Sequence, residues 1–332
     1  MPAGRGPGGP PCSGAWSPLA VRVFGTFDRI EGPPPVGRNL EGFGGVAQLA
    51  ARRPFKPLVV GSSPTAPTDP IPSDLNDPSH YRAAVPDVDV LILLPPSEGK
   101  ALGGSGRWTP AGGTFGRRLA EPRRQVVGAL AEAQARGRTG HFGVAGELRD
   151  RALEATRRII DGQARSLAAS ERFTGVVWQH LEPATLDDAQ RRRILVPSAL
   201  LGLVTARDPV PDHRLKFDVS LPGLGRLDRH WRPYLADALA ARTVRSTTIV
   251  DLLANEHRGA LGLAALAERR SRVVRATFTG ATGHEAKAVK GRLARHLLDH
   301  GLDEASIDAF AWQGWSATFD DASGNLHAHR AS

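Results

Sequence analysis

The chain has 332 residues and 41% apolar content, enough for one large domain or two ordinary ones with a sizeable core. The absence of any run of about 18 apolar residues, of an apolar signal-peptide core and of more than one cysteine (Cys12) argues against a membrane-spanning helix, a secretion leader, an intramolecular disulfide and a cysteine zinc site. A cytoplasmic protein with no cofactor, no metal and no membrane partner is therefore expected. The 43 basic against 34 acidic residues give +9, which suits an anionic partner such as nucleic acid, although moderate net charge is also common in soluble proteins.

Residues 1–87 are rich in Gly and Pro and carry neither helical nor strand periodicity. Within them, "GGVAQLAARRPFKPLVVGSSPTAPT", residues 44–68, resembles the conceptual translation of a transfer-RNA gene, with "VVGSSPTAPT" in the place of the T-arm and acceptor end. The expectation is a disordered, spurious extension, with a true start at Val85, Val88 or Val90. Eight basic and seven acidic residues lie in this stretch, so the remainder keeps +8 of the +9. The positive charge belongs to the domain.

From residue 88 the elements follow in order. "LILL" at 91–94 is a continuous apolar run stopped by two prolines, the pattern of a strand buried on both faces. Behind it comes the loop "PPSEGK", with a hydroxyl, a carboxylate and an ammonium at a strand end, where sites are often built. An amphipathic helix is expected over 117–136 and a second over 147–167, then strand-like segments at 172–181 and 191–204 separated by a short helix, "ATLDDAQRRR". A long irregular stretch at 205–233 contains "SLPGLG", a turn running into a helix. Two strands, at 247–256 and 271–280, precede the basic helix "HEAKAVKGRLARHLLDH", and a short helix and a final strand at 314–320 close the fold. The tail 321–332 is expected to be disordered, and the alternation of helices and strands points to one mixed α/β domain over 88–320.

Three places carry candidate chemistry. In the basic helix, His284, Lys287, Lys290, Gly291 and Arg295 share or neighbour one face, where cations and a glycine permitting close approach suit a phosphate backbone; an ordinary solvated face is the alternative. His296 and His300 have an i, i+4 spacing that can bind metal, but surface histidines are the simpler account. The Gly-rich turn at 220–225 is of the kind that presents backbone N–H groups to DNA phosphate in helix–hairpin–helix modules, yet "RLKFDVS" before it does not read as that motif's first helix. "PPSEGK" is not a nucleotide-binding P-loop, since it lacks the first glycine and the hydroxyl after the lysine.

Taken together, "LLPPSEGK", "FTGVVW", "SALLGLV", "RLKFDVSLPGLGRLDRHWRP", "IVDLLANE" and "HEAKAVKGRLAR" resemble the YaaA-type bacterial peroxide-stress proteins over nearly all of residues 88–320. The resemblance implies a single-domain mixed α/β fold with a positively charged cleft and a helix–hairpin–helix-like element. It also implies a cytosolic protein that binds double-stranded DNA and limits iron-dependent peroxide damage. Carried over residue by residue, it marks Ser97, Glu98 and Lys100, then Thr174, Gly175, Arg214 and Asp251, and finally Lys287, Lys290, Gly291 and Arg295. The nucleic-acid contacts it implies are Ser97, Lys100, Arg214, Lys287, Lys290, Gly291 and Arg295. Thr205, Ala206, His213, Ala254 and His257 depart from the family pattern and put the second half of the cleft in doubt. The expected cleft has "PPSEGK" as one edge and the Lys287–Arg295 helix as its other wall.

Two other functions compete with a non-enzymatic DNA-binding role. Lys100 with Glu98 and Asp251 would be a nucleophile–base set for a lysine-dependent lyase, which requires burial or neighbouring cations to free the amine. An iron-binding protein would draw on His284, Glu285, His296, Asp299 and His300, a composition that permits the idea without pointing to it.

Overall fold

The computed structural model describes residues 90–244, 246–263, 266, 271–320 and 323–330. The expectations for residues 1–87 lie outside the described residues.

Thirteen strands are described: β1 Val90–Leu93, β2 Gly106–Arg107, β3 Arg165–Ala168, β4 Ile194–Ser198, β5 Gly202–Thr205, β6 Pro209–Pro211, β7 Ser220–Leu221, β8 Gly225–Arg226, β9 Thr248–Asp251, β10 Arg272–Thr279, β11 Ala311–Trp312, β12 Trp315–Asp320 and β13 Asn325–Arg330. The helices are α1 Gly116–Ala135, α2 Gly146–Ile160, α3 Ala169–Arg172, α4 Val176–Leu181, α5 Asp188–Arg193, α6 Leu227–Arg242, α7 Asn255–Arg258, α8 Gly283–His300 and α9 Glu304–Asp308. Eight strands form one mixed sheet in the order β11-β12-β13-β10-β9-β1-β4-β5. Its centre, β4, β1, β9, β10 and β13, runs parallel, while β5 pairs antiparallel with β4 on one side and, on the other, β12 pairs antiparallel with β13 and β11 with β12. β1, β4 and β9 are buried at every position, as continuous apolar strands between helical layers must be. The C-terminal ends of β4, β1 and β9 therefore open on one edge, where Ser198, the 95–100 loop and Asp251 lie side by side.

Two buried arginines fix this edge. Arg123 of α1 donates to the carbonyls of Leu201 and Leu203 and to those of Pro110 and Gly112, tying the β4–β5 turn to the first helix. Arg172 of α3 donates to the carbonyls of Val210, Ala101, Gly103 and Arg165, clamping the loop after Lys100 onto the small β2-β3-β6 sheet. Burial pushes the pKa of both down, but every donated bond meets a carbonyl, which is what makes a buried guanidinium tolerable.

Several expectations need correction. The second helix stops at Ile160 because Gly162 takes a left-handed φ of 63°, and β3 follows where helix was expected. The segment 176–181, expected as strand, is helix: its buried residues Val177, Trp178 and Leu181 have helical spacing, and Gly175 caps the start. Of the helix–hairpin–helix-like element, only the hairpin β7–β8 and the following α6 are present; residues 212–219 before it form no helix. Finally, residues 325–330 of the expected disordered tail form β13, which inserts between β10 and β12 and buries Leu326 and Ala328. Alternating Leu326 and Ala328 against His327 and His329 is a period-two pattern whose short apolar residues carry too little hydrophobicity to stand out in sequence.

Candidate functional site

β1 ends at Leu93; Leu94 N–H still donates to the Leu195 carbonyl, and the chain then leaves the sheet through Pro95, whose carbonyl accepts from the Trp178 indole at 3.1 Å. The loop is next zipped to the start of α4: Thr174 N–H donates to Gly99 O at 3.1 Å and Ala101 N–H to Arg172 O at 2.9 Å. This zip packs Ser97 against Gly175, where a Cβ would stand 2.4 Å from the Ser97 hydroxyl. Gly175 is thus a glycine because the serine occupies its side-chain space.

Ser97 is 6% exposed, and its hydroxyl has no hydrogen-bond partner among the described residues. Beside it, the Lys100 ammonium donates to Ser97 O at 2.8 Å and lies 5.8 Å from the Phe173 ring centroid. Burial brings the Lys100 pKa down to about 8; Arg214 and Arg151 add to that, while Asp212 and Glu98 oppose it. Both conditions for a free lysine amine, burial and neighbouring cations, are therefore met here, and neither is visible in sequence.

The facing wall is the segment 213–218, which ends in a turn at 217–218, together with the start of α7, not the basic helix. Arg214 and Lys216, two residues apart and so on one side of an extended chain, both reach Glu98, at 3.1 and 3.3 Å. For Glu98, burial works upward, but the Lys216 and Arg214 bonds and charges prevail and hold the carboxyl below its ordinary value. Arg214 Nε, like the Ser97 hydroxyl, has no partner among the described residues. His213 lies at the back, with Nδ1 2.9 Å from Pro211 O and Nε2 3.3 Å from the Ser198 hydroxyl. The Pro211 carbonyl can only accept, so Nδ1 carries the proton and Nε2 accepts from Ser198. Burial, with the Lys100 charge adding, brings His213 down to about 3, so it is neutral at physiological pH. His257 closes the wall edge-on to Phe217, with Nε2 3.3 Å from Glu256 and Nδ1 without a partner among the described residues. Thus the departures His213 and His257 line the cleft. By contrast, Ala206 is core, and Thr205 donates its N–H to Asp208 away from the cleft lining.

The remaining expected site residues divide. Asp251 is buried and committed: Arg258 Nε meets one oxygen at 2.5 Å and Leu253 N–H the other at 2.9 Å. It does not join Lys100 and Glu98 as a nucleophile–base set. Instead it neighbours Lys290, which burial brings down to about 8, with Arg258 and Lys287 pushing the same way and Asp251 opposing. Lys290 touches the cleft only indirectly, through its charge on His257. Gly291 faces α4, where a Cβ would meet Val177 O at 2.3 Å and Leu181 N at 3.1 Å; its close approach is helix to helix. Arg295 pairs with Asp299 at 2.6 Å and reaches Thr185, also away from the cleft. Lys216, Ser198 and Arg258 were missed in the sequence. The alternation Arg214-Leu215-Lys216 was the available signal for the first; nothing local marked the others.

Among the described residues, no three His, Cys, Asp or Glu side chains gather in a metal-binding arrangement. His296 meets Ser306 O, and Glu285 pairs with Arg330. No described helix is long and apolar enough to cross a membrane.

The family described as "Peroxide stress protein YaaA" matches residues 90–320. A UPF0246 protein of Streptomyces coelicolor is 34% identical over 222 residues, 64% of this chain and 84% of its own length. A UPF0246 protein of Corynebacterium efficiens is 30% identical over 214 residues, 63% and 84% respectively. One from Ruegeria is 33% identical over 158 residues, 44% and 62%.

Proposed function

Because this chain belongs to the peroxide stress protein YaaA family, we propose that it acts in the cytoplasm by binding double-stranded DNA along the sheet edge that holds the cleft, and so limits iron-dependent damage to it. The observation that carries this reading is a group of cations in and beside the cleft. Lys100, Arg214 and Lys216 line it with His257, and Lys290, whose charge acts on His257, has Arg258 and Lys287 as its own cationic neighbours. A polyanion laid there would release counterions from several phosphates at once. The hairpin at Leu221–Gly225, with left-handed Gly223 and Gly225, adds backbone at a second point. Protection in this reading comes from covering DNA rather than from ligating iron.

A gel-shift series with duplex DNA at rising salt tests it. Binding should be tight at low salt, fall steeply as salt rises and weaken in Arg214→Met and Lys287→Met. Absence of binding even at low salt overturns the reading.

The depressed pKa of Lys100 favours one second reading, a lysine-dependent lyase acting on abasic DNA, in which the neutral amine attacks the sugar aldehyde. Glu98 and Asp251 are already paired, so the amine would act without them. Borohydride trapping of a covalent adduct on abasic duplex, lost in Lys100→Met, would support it, and no adduct would remove it.

A further inference from the structure

We infer that the floor of the cleft is a seat for a terminal phosphomonoester, carried by a free nucleotide or by the end of a DNA strand, rather than for an internal phosphodiester. This rests on the reading of the cleft as an anion site. Three residues that line this cleft each hold a buried polar atom without a partner among the described residues: the Ser97 hydroxyl, Arg214 Nε and His257 Nδ1. Leaving buried polar groups unpaired is costly, so three in one open cleft mark groups that a ligand satisfies. Ser97 is 6% exposed, and its position is enforced by Gly175, which has no room for a side chain.

The donors suit a phosphate. Arg214 is held by Glu98 through Nη2, which leaves Nε–H aimed elsewhere. Lys100 gives one proton to Ser97 O and keeps two. Ser97 can donate its hydroxyl. The charges are layered: Lys100 and Arg214 lie deep, whereas the carboxylates of Glu98 and Glu256 stand at the mouth, each 68% exposed. An internal phosphate would have to continue the strand past those carboxylates on both sides, and they repel its neighbours. A terminal phosphate has one continuing end, and the mouth carboxylates can accept from its sugar or base. His257 points the same way. With Nε2–H turned to Glu256, its Nδ1 lone pair needs a donor; a phosphodiester has none, whereas a singly protonated phosphomonoester has its P–OH and a free nucleotide also a 3′-hydroxyl.

The test uses the full chain and two matched duplexes, one with 5′-phosphates and one with 5′-hydroxyls, together with dAMP and deoxyadenosine as competitors. The phosphorylated duplex should bind at least about tenfold more tightly, or dAMP but not deoxyadenosine should compete. A preference between duplexes without competition by dAMP identifies the strand end as the source; competition without the preference identifies the free nucleotide. Ser97→Ala and Arg214→Met should each remove the effect, with thermal unfolding verifying that both variants fold. Equal binding of the two duplexes with no competition by dAMP overturns the inference while leaving salt-dependent duplex binding intact. Binding of dAMP with no duplex binding upholds the inference and removes the duplex reading.

Discussion

Burial brings the Lys100 and Lys290 ammonium groups both down to about 8, and each acts by its charge on a cleft histidine, Lys100 on His213 and Lys290 on His257. Their surroundings are otherwise opposite. Around Lys100 the neighbouring polar atoms of Ser97 and Arg214 wait without partners in an open cleft. Around Lys290 the nearest carboxylate, Asp251, is buried, doubly bonded and paired to Arg258, and the ammonium lies 5.4 Å from the Phe278 ring centroid. A depressed lysine therefore does not identify a site by itself, because burial produces it in a structural cluster as readily as in a binding one. The carboxylate beside each makes the distinction: Glu98 is exposed at the mouth of the cleft next to Lys100, whereas Asp251 next to Lys290 is buried and fully bonded.

The largest expected effect tests the structural side of that comparison. Asp251→Ala removes the partner of a partly buried guanidinium and the acceptor of Leu253 N–H, and should cost about 3 kcal/mol in denaturant unfolding. A loss below about 1 kcal/mol, the range of an exposed pair, would mean that the carboxylate is available for other work and that the Lys290 cluster is the better site.

Gly291→Ala comes next. Its new methyl would meet the Val177 carbonyl of α4, so about 1–3 kcal/mol should be lost and the melting temperature should fall by several degrees. If DNA binding fell instead with unfolding unchanged, the basic helix would be a phosphate contact after all.

Lys100→Met has the opposite sign and a modest size. The folded-state ammonium titrates near 8 against an ordinary 10.5, so holding it charged costs stability. That cost is full below about pH 8 and disappears as pH rises toward 10.5, because only then does the unfolded chain also lose the proton. The variant should therefore be more stable at pH 7, by about 1–3 kcal/mol, with a smaller gain at pH 9.5. A gain that does not shrink with pH would show that apolar packing, not the ammonium, is responsible.

Much of the frame was legible in the chain. The four apolar residues of β1, the proline stop, α1 and the basic helix follow from runs and periods, which are local properties. The capping box of Asp187 and Gln190 likewise starts α5 within the expected short helix. The misread segments are those whose state depends on what they touch. The 176–181 helix and β13 are short, and their apolar residues find their partners elsewhere in the chain, on α8, Phe173 and Pro95 for the helix and between β10 and β12 for the strand.

The sequence by itself determined that "PPSEGK" ends a buried strand, that the domain is basic and that the named motifs share one family. It could not determine which cations face which partners. Arg214 and Lys216 lie more than a hundred residues along the chain from the Glu98 they pair with and from Lys100, and Asp251, Arg258 and Lys290 meet through three separate elements. Pairing, desolvation and the unpartnered Ser97 hydroxyl are properties of the space between elements. Only tertiary packing creates that space, and with it the difference between a lysine in a cleft and a lysine in a brace.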